Sequence, residues 1–273
     1  MTIRRGLTSL SAYVILVILG LFFLVPLLWP ILASFNPSAS LSVTIPRPFS
    51  LINYQTILTN GLVARPFANS LILAVSTMLL VIILASLAAY PLSRYQFRFK
   101  GPLMYIILFI SSLPILALVT PLYAMYVSLN LVDTLQGVIL FFVASSLPFS
   151  IWLMKNFFDS VPFELEEAAW IDGASTIQGL FRVVLPIAAP GMAVVGVWSF
   201  LVAWTNFFVP LIILESQDLL PASVHIYNFF GAYGQVNYGQ LAAYAMLYAL
   251  PAVVLYTLVS RFFVRGVSGG LKG

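Results

Sequence analysis

The run Pro162-Phe163-Glu164-Leu165-Glu166-Glu167-Ala168-Ala169-Trp170-Ile171-Asp172-Gly173-Ala174-Ser175 gathers four of the chain's eight acidic residues into nine positions. Glu164, Glu166 and Glu167 fall early in a predicted helix, where the macrodipole favours anions. Pro162 suits the first turn, where its missing N–H costs nothing. Ala168 and Ala169 are strong helix formers with no bulk, so a second surface can approach closely. Gly173 fits the left-handed position that ends a helix, here after about three turns. A second helix restarts at Ala174 or Ser175. In it, Ile177, Leu180, Phe181 and Val184 fall at i, i+3, i+4 and i+7, one apolar stripe, with Gln178 and Arg182 on the other face. Leu185-Pro186 closes this helix against the next apolar segment. The residues alone predict helix, sharp turn, helix. Two uses fit that pattern: a docking site for a soluble partner, or an amphipathic brace in the membrane interface.

Outward from this run the chain is 62% apolar and 7% charged, against about 25% charged in soluble domains. Uncharged stretches run from Arg5 to Arg47, Arg65 to Arg94, Lys100 to Asp133, Asp133 to Lys155, Arg182 to Glu215 and Asp218 to Arg261. A helical span needs about 20 predominantly apolar residues. Six spans are therefore predicted, at 10–33, 68–92, 103–128, 134–154, 185–214 and 241–263. Barrel-type alternation is absent, which leaves helices as the spanning structure. With the N-terminus in the cytoplasm, Arg4, Arg5, Arg94, Arg98, Lys100, Lys155, Arg182, Arg261, Arg265 and Lys272 all fall inside. Only Arg47 and Arg65 fall outside, and that bias sets the orientation. The expectation is an all-α membrane protein with six transmembrane helices, N-in/C-in, forming one domain over residues 1–273.

The basic N-terminus followed by an apolar run has the look of a signal peptide. The run is too long for one and no A-x-A site comes promptly after it, so it reads as an uncleaved first span. The net charge of +4 reflects topology, and no nucleic-acid partner is expected. With no cysteine, disulfides and thiolate metal sites are excluded, and the single His225 has no ligand cluster around it. There is no G-x-x-x-x-G-K-S/T phosphate loop, and Gly269-Gly270-Leu271-Lys272 echoes only part of one. No catalytic pair is visible. The chain is expected to be no enzyme, with no metal and no cofactor of its own. Its setting is lipid, in a prokaryotic plasma membrane.

The loops differ in character. The outside segment 34–67 holds Pro37, Pro46, Pro48 and Pro66, which argues for extended, turn-rich structure. The connection near 129–133 is tight. The cytoplasmic segment 155–184 carries the polar run. The outside loop 215–240 is rich in aromatics and amides. Pro26, Pro30, Pro114, Pro121, Pro148, Pro210 and Pro251 lie in or near spans and tend to kink them.

The pattern E-A-A, three residues, Gly, nine residues, an aliphatic, one residue, Leu-Pro resembles the signature of ABC importer permeases. Here it stands as Glu167-Ala168-Ala169, Gly173, Val183 and Leu185-Pro186, with Val183 where the family usually has isoleucine. The chain is similar nearly end to end to the smaller permease subunit of the maltose-type, carbohydrate-importing subgroup. Pro48-Phe49-Ser50-Leu51-Ile52-Asn53-Tyr54, Phe67-Ala68-Asn69-Ser70-Leu71, Pro121-Leu122-Tyr123 and Trp170-Ile171-Asp172-Gly173-Ala174 carry the likeness. So do Phe263-Val264-Arg265-Gly266 and Gly270-Leu271-Lys272-Gly273, whose likeness to the subgroup's usual ending implies a complete chain. One departure lies in the fifth span, where the subgroup has Trp-Asn-acid-Phe and this chain has Trp204-Thr205-Asn206-Phe207-Phe208.

The resemblance implies a permease subunit of an ATP-driven, binding-protein-dependent importer of a sugar, with importers of polyols or glycerol-phosphate compounds as the alternative. It implies four kinds of partner: a homologous second permease subunit, two cytoplasmic ATPase subunits that bind ATP and magnesium, an extracytoplasmic substrate-binding protein, and the sugar. It makes the first helix of the polar run a cytoplasmic coupling helix between spans four and five. Glu164, Glu167, Ala168, Ala169, Asp172 and Gly173 would contact the ATPase, joined by Gly270 and Lys272 from the tail. Ser199, Trp204, Thr205 and Asn206 would line the translocation path. Tyr227, Tyr233, Gln235 and Tyr238 would meet the binding protein. Three rivals fit less well. A secondary transporter keeps ionisable residues within its spans, and here only Asp133 comes near, at a span end. A channel needs a filter or a ring of charge. A scaffold explains the insert but not six kinked spans.

Overall fold

The computed structural model describes residues 2–112, 114–230 and 236–269. Among them every regular element is helical, and the one β feature is an isolated bridge between Phe230 and Val236. In chain order the α-helices are α1 (Thr2–Ser34), α2 (Ile52–Thr59), α3 (Ala64–Arg94), α4 (Lys100–Ser111), α5 (Ile115–Ser128), α6 (Leu135–Asp159), α7 (Glu164–Ile171), α8 (Thr176–Gly179), α9 (Leu185–Ile187), α10 (Ala189–Thr205), α11 (Phe208–Ile213), α12 (Ala222–His225) and α13 (Tyr238–Gly269). A π-helical turn, Leu180–Val184, joins α8 to α9. Among the described residues, four helices are long and apolar enough to cross a membrane: Tyr13–Ser34 of α1, α3, α6, and Tyr238–Ser260 of α13.

Two predicted spans prove to be broken. The third, expected at 103–128, is α4 followed by α5. Pro114 has no N–H to continue the ladder and takes an extended conformation (φ −69°, ψ 120°). Where α4 ends, the Ser111 and Ser112 hydroxyls donate to the carbonyls of Leu108 and Phe109, at 2.6 and 2.7 Å. The fifth, expected at 185–214, is continuous only through α10. The segment Thr176–Ile187 meets Ala189–Thr205 at 79°, where Pro190 stands in the first turn of α10 and cannot donate back across the bend. At its other end α10 stops at an extended Asn206 (φ −70°, ψ 126°), and α11 restarts beyond it. The segment 34–67, expected to be extended and turn-rich, contains the helix α2.

The chain divides into two compact units. The first comprises residues 1–64 and 225–251. Buried Asn53 on α2 donates its amide to the carbonyls of Ser34 and Asn36, at 3.1 and 3.0 Å, where α1 ends. Gly239 lets α13 lie directly on that amide: a Cβ there would sit 2.5 Å from Asn53 Nδ2. Trp29 packs edge-on against Tyr238 and donates to the Ser40 carbonyl at 3.0 Å. Between Tyr13 and Leu28, α1 buries no side chain, so its apolar surface calls for lipid or another chain around it.

The second unit comprises residues 65–224 and 252–273. Helix α3 presents one fully buried stripe, Leu73, Thr77, Val81, Ala85 and Ala89, at four-residue spacing. Helices α4 and α10 both pack on α6, and Phe149 meets Trp198 at 4.9 Å. At the Arg94 end of α3, Val81, Ala89, Tyr90, Met154, Phe158, Val161, Leu180 and Val184 form a continuous apolar core beneath the polar run. Thr134 caps α6 by accepting from Gly137 N at 3.1 Å, and Tyr126 donates to the Gly137 carbonyl at 2.8 Å.

Candidate functional site

The polar run folds as helix, turn, helix through two reciprocal locks. Gly173 lies at φ +89°, a left-handed conformation. Its N–H donates to Trp170 O at 3.0 Å and the Ala174 N–H to Ala169 O at 2.9 Å, the paired bonds of a Schellman motif closing α7. Two residues on, Ser175 and Gln178 form a capping box. Ser175 Oγ accepts from Gln178 N at 3.3 Å while Gln178 Oε1 accepts from Ser175 N at 2.9 Å. Only Asp172–Ser175 separate the helices, so α7 and α8 form one stiff hairpin. Trp170 fills its inside, edge-on to Phe163 at 5.5 Å, and a Cβ on Gly179 would stand 3.2 Å from its indole nitrogen.

Several local expectations need correction. Helix α7 spans 8 residues, nearer two turns than three. Pro162 lies just before it and contributes its carbonyl, which accepts from Leu165 N at 3.4 Å, rather than occupying the first turn. In the second helix Leu180 and Val184 are buried, but Ile177 and Phe181 are exposed. The π turn after α8 rotates the pattern away from the ideal 3.6-residue period, which splits the expected stripe.

Glu164, Glu167, Ala168, Asp172 and Gly173 are exposed, and Ala169 is half-buried. Apolar Ile171, Leu165 and Ile177 are exposed among them. The hairpin thus offers an acidic and apolar outer face with two small residues at its middle. Gly270 and Lys272 lie outside the described residues.

Glu166 behaves differently from its neighbours. It is fully buried and ion-paired with Arg94 of α3, whose side chain is also buried. Its second oxygen accepts from Tyr90 Oη at 2.8 Å. Arg94 also donates to the Val161 carbonyl at 3.1 Å, and its guanidinium lies over the Phe163 ring at 5.9 Å. Nearby, Ser93 donates to Asp159 at 2.7 Å, and Asp159 pairs with Lys155 one turn back on α6. Its place in the sequence marks Glu166 only as a helix N-terminal acid. Alternation of the two adjacent glutamates between faces 100° apart was the available signal.

The four residues expected along a path do not share one environment. Ser199 is fully buried and donates to the Val195 carbonyl of its own helix at 2.8 Å. Trp204 is buried, stacked on Phe200 at 5.6 Å and edge-on to Phe67. Thr205 is exposed and donates to Leu201 O. Asn206 caps α11 by accepting from Val209 N at 3.0 Å, and its carbonyl accepts from Ser223. Of the loop residues, Tyr227 is exposed and Tyr238 half-buried against Trp29, while Tyr233 and Gln235 lie outside the described residues.

Asp133, noted in the sequence for its position at a span end, is a junction. It takes a left-handed conformation (φ 56°). One carboxylate oxygen accepts from the amides of Glu215 and Ser216, both at 2.9 Å, and the other from the Ser216 hydroxyl. These hydrogen bonds, the hydroxyl first, hold its carboxyl below the usual carboxylate range.

Comparison with known proteins gives a consistent result. A diacetylchitobiose uptake system permease protein of Streptomyces coelicolor is 32% identical over 95% of this chain and 87% of its own length. A trehalose transport system permease protein of Mycobacterium tuberculosis is 32% identical over 92% and 93%. A maltodextrin transport system permease protein of Bacillus subtilis is 29% identical over 98% of both. A chain in the crystal structure of a bacterial ABC transporter involved in the import of the acidic polysaccharide alginate superposes with a TM-score of 0.80. It covers 94% of this chain and 96% of its own, at 22% identity, and so shares the fold. Residues 81–268, which contain the α7–α8 hairpin and its buried glutamate, match the model of one family. The chain belongs to the binding-protein-dependent transport system inner membrane components.

Proposed function

We propose that this chain is one of two permease subunits in an ATP-driven, binding-protein-dependent importer of a mono- or oligosaccharide. In this reading six spans cross the membrane N-in/C-in: α1, α3, α4 with α5, α6, α10 and α13. Helix α7 is the cytoplasmic coupling helix. Its Glu167, Ala168, Ala169 and Gly173 seat against an ATPase subunit, with Glu164 and Asp172 beside them and the Gly270–Lys272 tail reaching the same subunits. ATP and magnesium belong to those subunits, and this chain contributes no catalytic group. Thr205 and Asn206 border the path at the break between α10 and α11. Tyr227 and Tyr238 face the binding protein.

The observation that carries the reading is the outer face of the α7–α8 hairpin. It exposes carboxylates and small residues at the motif positions, while the α7 C-terminus and the α8 N-terminus are closed by the hairpin's own Schellman motif and capping box. Acids used only for capping would be consumed by the helix end; here Glu167 is left for a partner, and a carboxylate suits a basic groove. Sugar as the substrate class is supported by the relatives that carry diacetylchitobiose, trehalose and maltodextrin in their names. The polyol and glycerol-phosphate reading has no such support.

The test is ATP hydrolysis by the chain co-purified with its genomically neighbouring subunits in nanodiscs, with and without the binding protein, across a sugar panel. Hydrolysis is expected to rise with one liganded binding protein. It should be lost with Glu167→Arg, and with Gly173→Val, which puts a β-branched residue at φ +89°. Absence of a co-purifying ATPase, or hydrolysis indifferent to both substitutions, leaves the hairpin as a brace and overturns the proposal.

A further inference from the structure

Helix α7 has two working faces. Glu167 points outward and Glu166, one residue earlier, points into the protein, fully buried. Every strong interaction of Glu166 goes to α3, an element 72 residues away in sequence. One carboxylate oxygen takes Arg94 Nε and the other takes Tyr90 Oη at 2.8 Å. Arg94 extends the grip to the turn before α7 through Val161 O, at 3.1 Å. The last turn of α3 therefore holds both the helix and its lead-in. At its far end α7 is locked to α8 by the Schellman motif and capping box, and from there the chain runs through a π turn and a 79° bend into α10.

Apolar contacts are non-directional, so the core beneath the hairpin names no single partner for α7. A buried ion pair does. Separating Glu166 from Arg94 strands a charge away from water, and the pair moves as a unit or not at all. We infer that Glu166, Arg94 and Tyr90 are the rigid link that carries displacement of α7 into the membrane helix α3. The three are positioning residues: they touch neither nucleotide nor sugar, and they fix which membrane helix moves with the hairpin. This rests on the importer reading, in which a partner ATPase pushes on the outer face.

The experiment is the full complex reconstituted in proteoliposomes, with sugar uptake and ATP hydrolysis measured in the same vesicles. The variants are Glu166→Gln, Arg94→Lys and Tyr90→Phe. With the link broken, the ATPase still docks on the outer face and still responds to the binding protein, but the motion no longer reaches α3. Glu166→Gln is expected to keep stimulated hydrolysis while lowering sugar moved per ATP by about tenfold. Arg94→Lys keeps the charge and should recover part of that ratio. Tyr90→Phe removes one hydroxyl, leaves the ion pair, and should show a smaller loss of the same kind. If Glu166→Gln fails to assemble, Tyr90→Phe carries the test. An unchanged ratio in assembled variants overturns the inference. So do uptake and hydrolysis falling in step, or assembly failing in all three, since those mark a purely structural cluster. A wild-type complex that couples normally beside such results confines the failure to the link; a wild-type complex without ATP-dependent uptake removes the importer reading and the link with it.

Discussion

His225 is the chain's one imidazole. It is buried outside the spans, nearly parallel to the Tyr244 ring at 6.2 Å, and its Nδ1 has no hydrogen-bond partner among the described residues. Burial alone pushes its pKa below the ordinary value. Over the window between the depressed folded pKa and the unfolded value near 6.5, the unfolded chain binds more protons, so stability rises with pH there. As pH falls below about 6.5, the stabilisation is progressively lost until the folded imidazole itself protonates. Thermal unfolding in nanodiscs between about pH 8 and about pH 5 is expected to show a falling midpoint, and His225→Gln should flatten that slope. A slope unchanged in the variant would assign the pH dependence to other groups. The adjacent glutamates show where legibility ends at this scale. The exposed Glu167 could be read from its motif. For Glu166 the sequence shows only that it faces away from Glu167, because its partners, Arg94 and Tyr90, come from another helix.

Among the elements, those fixed by bonds between near neighbours were legible. Gly173, Ser175 and Gln178 encode a turn and a helix start within six residues, and both form as the spacing implies. The breaks in the third and fifth spans were not legible, because a proline in an apolar helix is compatible with a kink as well as a full stop. Helix α2 was hidden by the prolines that flank it. Packing between elements gives a sharper test. On α10, a Cβ at Gly191 would lie 2.4 Å from Phe157 Cγ and 2.6 Å from its Cβ, close to the backbone of α6. At Gly196 the nearest atom is the flexible tip of Ile82, at 3.1 Å. Gly191→Ala should therefore force α10 off α6 and destabilise by about 1–3 kcal/mol, while Gly196→Ala should be nearly silent. Melting temperatures of the two variants in detergent decide this: equal shifts would mean that the α6–α10 contact yields more readily than its geometry implies.

For the molecule as a whole, composition announced helices in a membrane, and the charge distribution carried an orientation that four long apolar helices by themselves do not. The orientation can be measured in this chain with little disturbance, since it contains no cysteine and each engineered one is a unique label. Ser42 and Gln217 are exposed in the segments assigned to the outside, and Gln96 and Thr176 in those assigned to the cytoplasm. Single cysteines at the first two should react with a membrane-impermeant maleimide on intact cells stripped of their outer barrier. Those at the last two should react only after the membrane is opened. The pair Gln96 and Gln217 is the most demanding. Between them lie α4 with α5, α6 and α10, and they fall on opposite sides only if an odd number of crossings separates them. If the break at Ser112 makes α4 and α5 a re-entrant dip instead of one crossing, the number becomes even, and both positions label from the same side. The positive-inside bias argues against that outcome, because Gln96 sits between Arg94 and Lys100 while the segment around Gln217 carries Glu215 and Asp218. Opposite labelling would make α4 and α5 one bent span and bring Thr176, with the hairpin it belongs to, to the face where an ATPase can reach it.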